Sequence, residues 1–339
     1  MAIEPVDIDT VVRDVPSGEN WLRHLREDLL PFWTTDVALG TPVGKFPTYR
    51  HNDGSAVDLD HPGPEFVTGR VAEGIVWLGR DHVRAQSRQI YAYGVAYHLT
   101  GDPQYLDYAQ AGVGYLLTHS FDPDGGVFSY LDSRTGRPGP PRDQRTSQDL
   151  AYALTGIGFL YYLTRRSALA EILVNVHQEI LRYYDPESQI FRWVLEESPD
   201  GDRTDQKELV AQLDQVYAYM LLAGPILPEP HRQEWLDRLR MISRRMMQRF
   251  YAPSTGMFWG AITTPGGKQL GTPHTDFGHS VKTFWLISLI GQLADDYEMF
   301  TAAQRRAARI LEWAYLPDTG SWARGFDKWG RLDEDKEWW

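Results

Sequence analysis

The 339-residue chain contains no cysteine, which removes several kinds of chemistry at once. Without a thiol there is no disulfide framework, no thiolate metal site and no cysteine nucleophile. The chain also lacks a Gly-rich phosphate loop, a His-Glu-x-x-His zinc pattern and a Gly-x-Ser-x-Gly nucleophile elbow. Its ten histidines do not cluster at metal-ligand spacing. We therefore expect neither a metal nor another cofactor.

Positive charge is scarce, with 34 Lys and Arg against 46 Asp and Glu and a net charge of −12. Because an acidic surface repels phosphate backbones and anionic lipid, nucleic acid and membrane surfaces are not expected partners. The N-terminal segment carries acids where a secretory signal would carry basic residues and then an apolar run. No stretch approaches the roughly 20 unbroken apolar residues of a membrane span. The sequence predicts a cytoplasmic, soluble, globular protein.

Aromatic residues, in contrast, are abundant, with 12 Trp, 18 Tyr and 13 Phe, and many of them mark a repeat. Each of four segments has an aromatic residue, a Pro two positions later, a polar or Gly turn, and a second aromatic residue seven positions after the first. Pro and turn residues between flanking aromatics are typical of a short β-ribbon. The segments start 63, 67 and 64 residues apart, at Phe121–Phe128, Tyr184–Phe191, Tyr251–Phe258 and Tyr315–Trp322.

Between the ribbons, apolar residues recur at helical spacing. The stretch after Asp102-Pro103 predicts a capped helix with Pro in its first turn. Leu209–Leu222 predicts a helix that ends at Gly224-Pro225. An Arg-rich helix around Trp235 is expected on the outside, and the apolar run around Trp285 on the inside. The repeating unit is therefore an inner helix, an outer helix and a β-ribbon.

A chain of such hairpins can curl into an all-α toroid with the ribbons on one face around a central pocket, which is the fold we predict. An open array with a concave surface is the alternative. A further helix near Trp21–Trp33, with a ribbon near Phe46–Asp53, brings the number of ribbons to five. We expect one domain over residues 1–339 that ends one hairpin short of closure, and the open apolar edge predicts a homodimer.

Few polar residues interrupt the inner helices, and they are the candidates for chemistry. His279 opens an inner helix, where a neutral imidazole can transfer protons near neutral pH, and Lys282 follows on the same helical face. Alternatively, His279 and Lys282 are polar only because the first turn of this helix lies in solvent, and the spacing fits that alternative equally well. Asp276 either orients the imidazole or caps the helix.

Two arginines and two aspartates also lie in predicted inner helices. Arg84 and Arg88 are four residues apart, and an Arg on an inner face needs an anion or several hydroxyl oxygens. Asp214 interrupts an apolar helix, as a structural acceptor or as a site residue with a shifted pKa. Asp149 has a similar setting or caps its helix.

Four stretches resemble the N-acylglucosamine 2-epimerase superfamily, whose members include mannose isomerases and cellobiose 2-epimerases. The most specific one resembles the family's Phe-Gly-His-x-x-Glu-x-x-Trp-Leu. The stretches are Arg84-Ala-Gln-Ser-Arg88-Gln-Ile-Tyr, Gln148-Asp-Leu-Ala-Tyr152, Asp276-Phe-Gly-His279-Ser-Val-Lys-Thr-Phe-Trp285-Leu and Gly330-Arg-Leu-Asp-Glu-Asp-Lys336-Glu-Trp-Trp339.

The resemblance implies an (α/α)6 barrel of six helical hairpins, which agrees with the period of the ribbons. It implies proton transfer at C2 of an open-chain sugar through an enediolate, without a metal or redox cofactor. His279 would be a catalytic histidine, with Asp214 and Lys282 in place of the family's usual polar partners. Substrate contacts are expected from Arg84, Arg88, Tyr93, Trp285 and Trp338.

The chain departs from the family pattern at two of its three histidine positions. Lys282 stands where the family has Glu, so a partner that would raise the basicity of His279 is replaced by one that would lower it. The second histidine position aligns with the region of Val210, Asp214 and Tyr217, and the last lies beyond residue 339. The expected activity is that of a sugar isomerase or 2-epimerase. One base can serve an aldose–ketose isomerase, whereas epimerisation needs protons at both faces of C2, so isomerisation is favoured if the chain is the whole protein.

Two other functions stay open. A glycan hydrolase or lyase on the same toroid would pair carboxylates among Asp149, Asp214 and Glu208, roughly 5 to 10 Å apart. A non-catalytic relative would bind sugar without turning it over, and Lys282 in place of Glu favours that alternative.

Overall fold

The structure is a computed structural model that describes residues 16–67, 78–139, 145–197, 204–262 and 267–335. Helix α1 (Gly18–His24) begins at Ser17, whose side chain accepts a hydrogen bond from the backbone N–H of Asn20. It continues through a π-helical turn at Leu25–Leu29 into α2. Short helices and an isolated β-bridge between Arg50 and Ala56 complete this N-terminal part. The short helices are α2 (Leu30–Trp33), α3 (Asp36–Leu39) and α4 (Pro64–Val67).

Four helical hairpins follow in the described ranges, each made of an inner helix and an outer helix. The third inner helix continues through a π-helical turn at Val216–Met220 and α10 (Leu221–Ala223). The pairs are α5 (Val83–Thr100) with α6 (Pro103–His119), α7 (Ser147–Thr164) with α8 (Ser167–Ile180), α9 (Leu209–Gln215) with α11 (His231–Arg249), and α12 (Phe277–Leu293) with α13 (Tyr297–Ala314).

Burial separates the inner helices from the outer ones, as the apolar patterns predict. Thirteen of the eighteen residues of α7 are buried, whereas α11 buries five of nineteen, including Trp235. A helix that is apolar on all sides is stable only inside a protein, and an amphipathic one lies at the surface. Within the described residues, no helix combines the length and the apolar character that crossing a membrane would require.

Aromatic ribbons join the hairpins, and their register explains the spacing of seven. Tyr184 pairs with Phe191, with ring centroids 5.5 Å apart, because seven positions bring both residues to the same rung of a two-stranded ladder. The next two ribbons repeat this pairing. The strands are β3 (Tyr184–Asp185), β4 (Ile190–Phe191), β5 (Tyr251–Ala252), β6 (Met257–Phe258), β7 (Tyr315–Leu316) and β8 (Ser321–Trp322).

The first ribbon has a different register, because Phe121 bridges Val127 rather than the aromatic residue one position later. Two further ribbons flank inner helices. Strand β1 (Arg80–His82), immediately before α5, pairs with β2 (Tyr130–Asp132), and β9 (Gly325–Phe326) pairs with β10 (Leu332–Asp333).

Buried polar side chains fix neighbouring inner helices against one another. The Ser87 hydroxyl of α5 donates to the carbonyl of Ala153 at 2.8 Å and accepts from the N–H of Gly156 at 2.9 Å. A Cβ on Gly156 would lie 2.6 Å from the Ser87 carbonyl oxygen, so only glycine permits this approach. In the same way, Gln215 of α9 donates to the carbonyl of Ser147 at the start of α7.

The predicted all-α fold with ribbon connections is confirmed, while the single domain over residues 1–339 stays a prediction. One helix differs from its prediction: Leu209–Leu222 is not one regular α-helix but contains the π-helical turn. In that turn, Tyr217 is 41 % exposed while its four neighbours are buried. The wider turn moves this side chain off the apolar stripe on which the spacing places it.

Candidate active site

Polar side chains from the N-terminal halves of four inner helices meet on one side of the hairpin array. Each inner helix begins just after a ribbon or loop segment, so repetition of the hairpin places these helix starts at the same end. We call this group the inner cluster. It consists of Arg84 and Arg88 from α5, Gln148 and Tyr152 from α7, Asp214 from α9, Tyr217 from the π-helical turn, and Lys282 from α12.

Asp214 is the central acceptor of the inner cluster and is 1 % exposed. Gln148 Nε2 donates to its Oδ2 at 2.5 Å, Tyr152 forms a further hydrogen bond, and Lys282 Nζ lies 3.9 Å from its Oδ1. Burial raises the pKa of the Asp214 carboxyl, and Lys282 opposes that shift. The carboxylate thus ties together three inner helices.

Lys282 and Arg88 supply the positive charge around this carboxylate. Burial lowers the pKa of Lys282, against the attraction of Asp214, and its ammonium lies 4.5 Å from the ring centroid of Tyr217. Arg88 lies with its Cζ 4.0 Å from the ring centroid of Tyr152, whose pKa burial raises above its ordinary value. Two cations, Lys282 and Arg88, therefore lie near one buried carboxylate, which favours an anionic or oxygen-rich ligand.

His279 lies one turn before Lys282 and is held by the residue that caps its helix. Asp276 Oδ1 accepts the backbone N–H of His279 at 2.6 Å, and Oδ2 lies 2.7 Å from its Nδ1. Asp276 therefore performs both functions that the sequence suggests, capping and orienting. Burial pushes the pKa of the Asp276 carboxyl upward, but the hydrogen bonds from His279 outweigh it and the net pKa is below its usual value. The imidazole itself is 5 % exposed.

A second imidazole, His274, packs against the first with ring centroids 4.8 Å apart. Its Nδ1 lies 3.9 Å from Oε2 of Glu208, the residue before α9. Interaction with this carboxylate raises the pKa of His274. His274 has a φ of +60°, in the left-handed region that few non-glycine residues adopt. The loop before α12 therefore holds this imidazole at the site at a conformational cost.

The other predicted site residues lie in different surroundings. Arg84 is exposed and donates to Gln148 Oε1 at 3.3 Å. Trp285 is 48 % exposed and, with Lys282, lines a 590 Å³ cavity against α13 and the ribbon β7–β8. Asp149 forms a capping box at the start of α7 and accepts from Ser129, which confirms its capping role.

Tyr93 does not reach the inner cluster. It is 1 % exposed, and its hydroxyl donates to the carbonyl of Trp33 at 2.5 Å and accepts from Gln89 at 2.8 Å. Its position on α5, five residues after Arg88, turns it toward the N-terminal segment, where its ring packs on Phe46. The structure thus gives Tyr93 a packing role. Trp338 lies outside the described residues.

Sequence reasoning missed Gln148, Tyr152 and His274 as site residues. Gln148 and Tyr152 are four apart, which places both on one face of α7, and both lie in a stretch that resembles the family. His274 is close in sequence to His279, but only the loop conformation brings their rings together. Among the described residues, no three His, Asp or Glu side chains converge as ligands for a metal ion.

Paired inner and outer helices with ribbon connections, and a polar site at the starts of the inner helices, define an α/α barrel. The sequence model of the N-acylglucosamine 2-epimerase (GlcNAc 2-epimerase) family matches residues 72–339, so the chain belongs to this family.

Solved structures share the fold. D-mannose isomerase matches with a TM-score of 0.72 at 17 % identity, over 94 % of this chain and 77 % of that one. A sugar epimerase from a ruminal bacterium matches with a TM-score of 0.71 at 18 % identity, over 94 % and 77 %. Cellobiose 2-epimerase from Bacillus thermoamylovorans B4167 matches with a TM-score of 0.70 at 16 % identity, over 93 % and 76 %.

Proposed function

We propose that the protein is a sugar isomerase that transfers a proton at C2 of an open-chain aldose through an enediolate, with His279 as the proton-transfer residue. Membership of the N-acylglucosamine 2-epimerase family supports an isomerase or epimerase. The observation that carries the proposal is the buried His279 imidazole, fixed at Nδ1 by Asp276 and one turn from the cations of the inner cluster.

In this mechanism, Nε2 of His279 removes the C2 proton, because Nδ1 is engaged with Asp276. The Asp276 carboxylate stabilises the imidazolium that forms, and it holds the ring in one orientation. Arg88 and Lys282 face the oxygens on C1 and C2, where negative charge develops in the enediolate. Cations placed there stabilise the transition state more than the neutral substrate. Return of that proton to C1, together with transfer of a proton from the C2 hydroxyl to the C1 oxygen, yields the ketose.

The arrangement of His274 and His279 favours isomerisation over 2-epimerisation. Epimerisation requires proton donors on opposite faces of C2, with the sugar between them. The two imidazoles are in contact at 4.8 Å, which leaves no room for a sugar ring or chain between them. They therefore act from one side, as transfer from C2 to C1 requires. His274, with its pKa raised by Glu208, supplies a proton to the sugar oxygen on that side.

The test is proton exchange at C2 in heavy water, followed by NMR across mannose, glucose, N-acetylglucosamine and disaccharides. We expect exchange with at least one aldose and appearance of the matching ketose. His279→Asn should remove it, and His231→Asn, at the start of the outer helix α11, serves as a matched control. Exchange with inversion at C2 and no ketose would instead identify an epimerase. A folded protein that exchanges none of these sugars would refute the proposal.

A further inference from the structure

A second cavity, of about 400 Å³, lies beside Arg88, between α5 and the N-terminal segment. Its wall includes Phe32, Trp33, Arg50, His51, Asn52 and Arg88. We call it the Arg50 cavity. Because Arg88 also contacts Tyr152 of the inner cluster, the cavity adjoins the place where C1 and C2 of a sugar would bind.

Arg50 is held rigidly at this cavity and has no charged partner in the part of the chain that the structure describes. Its guanidinium carbon lies 4.3 Å from the ring centroid of Phe32 and 4.6 Å from that of Trp33, and Nη1 donates to the Phe32 carbonyl at 2.8 Å. Nη2 is buried and forms no hydrogen bond with any residue that the structure describes. A partly buried cation without an anion nearby is unfavourable, so this site is short of negative charge.

The rest of the cavity wall is also positively charged and lacks negative charge among the described residues. Arg88, which also interacts with Asp214 of the inner cluster, is a second guanidinium in this wall, and His51 adds an imidazole. None of the described residues that line the cavity is an Asp or a Glu. On a chain with a net charge of −12, a cavity with two arginines and no acid is a local reversal of charge. Such a reversal recruits anions and orients them on entry.

The hydrogen-bonding groups match an oxyanion at the end of a sugar. A guanidinium recognises carboxylate or phosphate oxygens through paired N–H groups, Asn52 offers an amide donor, and the half-exposed face of Trp33 suits the apolar face of a sugar. Resting on the proposed function, we propose that the Arg50 cavity binds an anionic group, a phosphate or a carboxylate, at the end of the substrate remote from C1 and C2. The natural substrate is then a charged sugar.

The proposal predicts a preference within matched pairs of sugars. Glucose is compared with glucose 6-phosphate and with glucuronate, and mannose with mannose 6-phosphate, by C2 exchange in heavy water. At least one anionic form should exceed its neutral partner about tenfold in kcat/KM, mainly through KM, because charge-assisted bonds to a guanidinium have this strength. The phosphate and carboxylate arms show which anion the cavity accepts.

Variants of Arg50 test the cause of the preference. Arg50→Gln should lower kcat/KM for the anionic sugar at least fivefold more than for its neutral partner, on the order expected for a lost charge-assisted bond. Arg50→Lys should keep part of the preference, since it keeps the charge and loses the planar fork. Arg244→Gln, exposed on α11, is the control. If Arg50→Gln does not fold, a salt titration of the wild-type protein replaces it as the test. The preference for the anionic sugar should then decrease as salt is added, because salt screens the attraction between charges.

Three outcomes would contradict the proposal: equal or better use of neutral sugars, equal losses for both forms in Arg50→Gln, or a preference that ignores salt. If no sugar exchanges at all, the isomerase proposal fails but the cavity is still testable. Calorimetric binding of glucitol 6-phosphate and glucitol then decides. Tighter binding of the phosphate that Arg50→Gln removes supports the anion site, and equal binding overturns it.

Discussion

Replacement of Lys282 by methionine should expose the electrostatic cost of burying Asp214. At 3.9 Å, the attraction between the two charges is about 4 kcal/mol for an effective dielectric constant near 20. A quarter of the Lys282 side chain is exposed, so solvent screening reduces the net contribution to about 2–3 kcal/mol. Methionine keeps the volume and the apolar stem and leaves a buried carboxylate without its cation.

A double-mutant cycle isolates this interaction. We expect Lys282→Met to lower the free energy of unfolding by about 2–3 kcal/mol. In the Asp214→Asn background, the same change should cost less than about 1 kcal/mol, because an amide leaves no charge to compensate. Urea unfolding of the four proteins at pH 8 measures both values. Equal losses in the two backgrounds would refute the reasoning.

The pH dependence provides an independent check with a defined sign. The pKa of Asp214 is raised in the folded protein, so the folded state binds the proton more readily than the unfolded state. Stability from that proton is present at low pH and is lost as the pH rises through the raised pKa. Lys282→Met should therefore destabilise the protein less at pH 5 than at pH 8. A constant or larger loss at pH 5 would show that lost packing, rather than charge, causes the effect.

Three other variants test individual contacts of the site. Asp276→Asn retains a helix cap but not the anion that stabilises protonated His279. We therefore expect kcat to fall about 100-fold in steady-state kinetics, with little change in the Tm measured by calorimetry. Tyr93→Phe should lower the free energy of unfolding in urea by about 1 kcal/mol and leave kcat/KM unchanged, because the hydroxyl forms its hydrogen bonds within the core. A loss of activity without a loss of stability would show that Tyr93 belongs to the site. The raised pKa of His274 predicts that activity declines as the pH rises through that pKa, and Glu208→Gln should shift the decline in the pH–rate profile to lower pH.

The ribbons and hairpins were predictable because local chemistry determines them. Pro and turn residues specify the ribbon, and a spacing of seven places aromatics such as Tyr184 and Phe191 on one rung. The capping box of α7, with Asp149 at its third position, is a similarly local signal. Such patterns need no knowledge of distant residues.

The site was only partly predictable, because its geometry depends on contacts between helices. His279 and Lys282 share a helical face, so their proximity follows from spacing. The acceptor role of Asp214 needs Gln148, 66 residues away, and follows from the placement of α9 against α7. Tyr93 is expected among the substrate contacts, but it lies in the core. Its burial depends on the packing of α5 against the N-terminal segment, where Trp33 and Phe46 contact it, and no local pattern records that packing.

The π-helical turn at Val216–Met220 has a consequence for how this barrel can change its pocket. A π turn contains one more residue than the α-helical turn it replaces, and the chain resumes α-helix at Leu221. The extra residue is accommodated within the helix, so the packing of the two flanking segments can be preserved. Tyr217, in this turn, is the residue of the inner cluster whose ring contacts the ammonium group of Lys282. Insertion or deletion of a single residue at this turn is therefore a route by which relatives of this protein can exchange a pocket side chain without rebuilding the core.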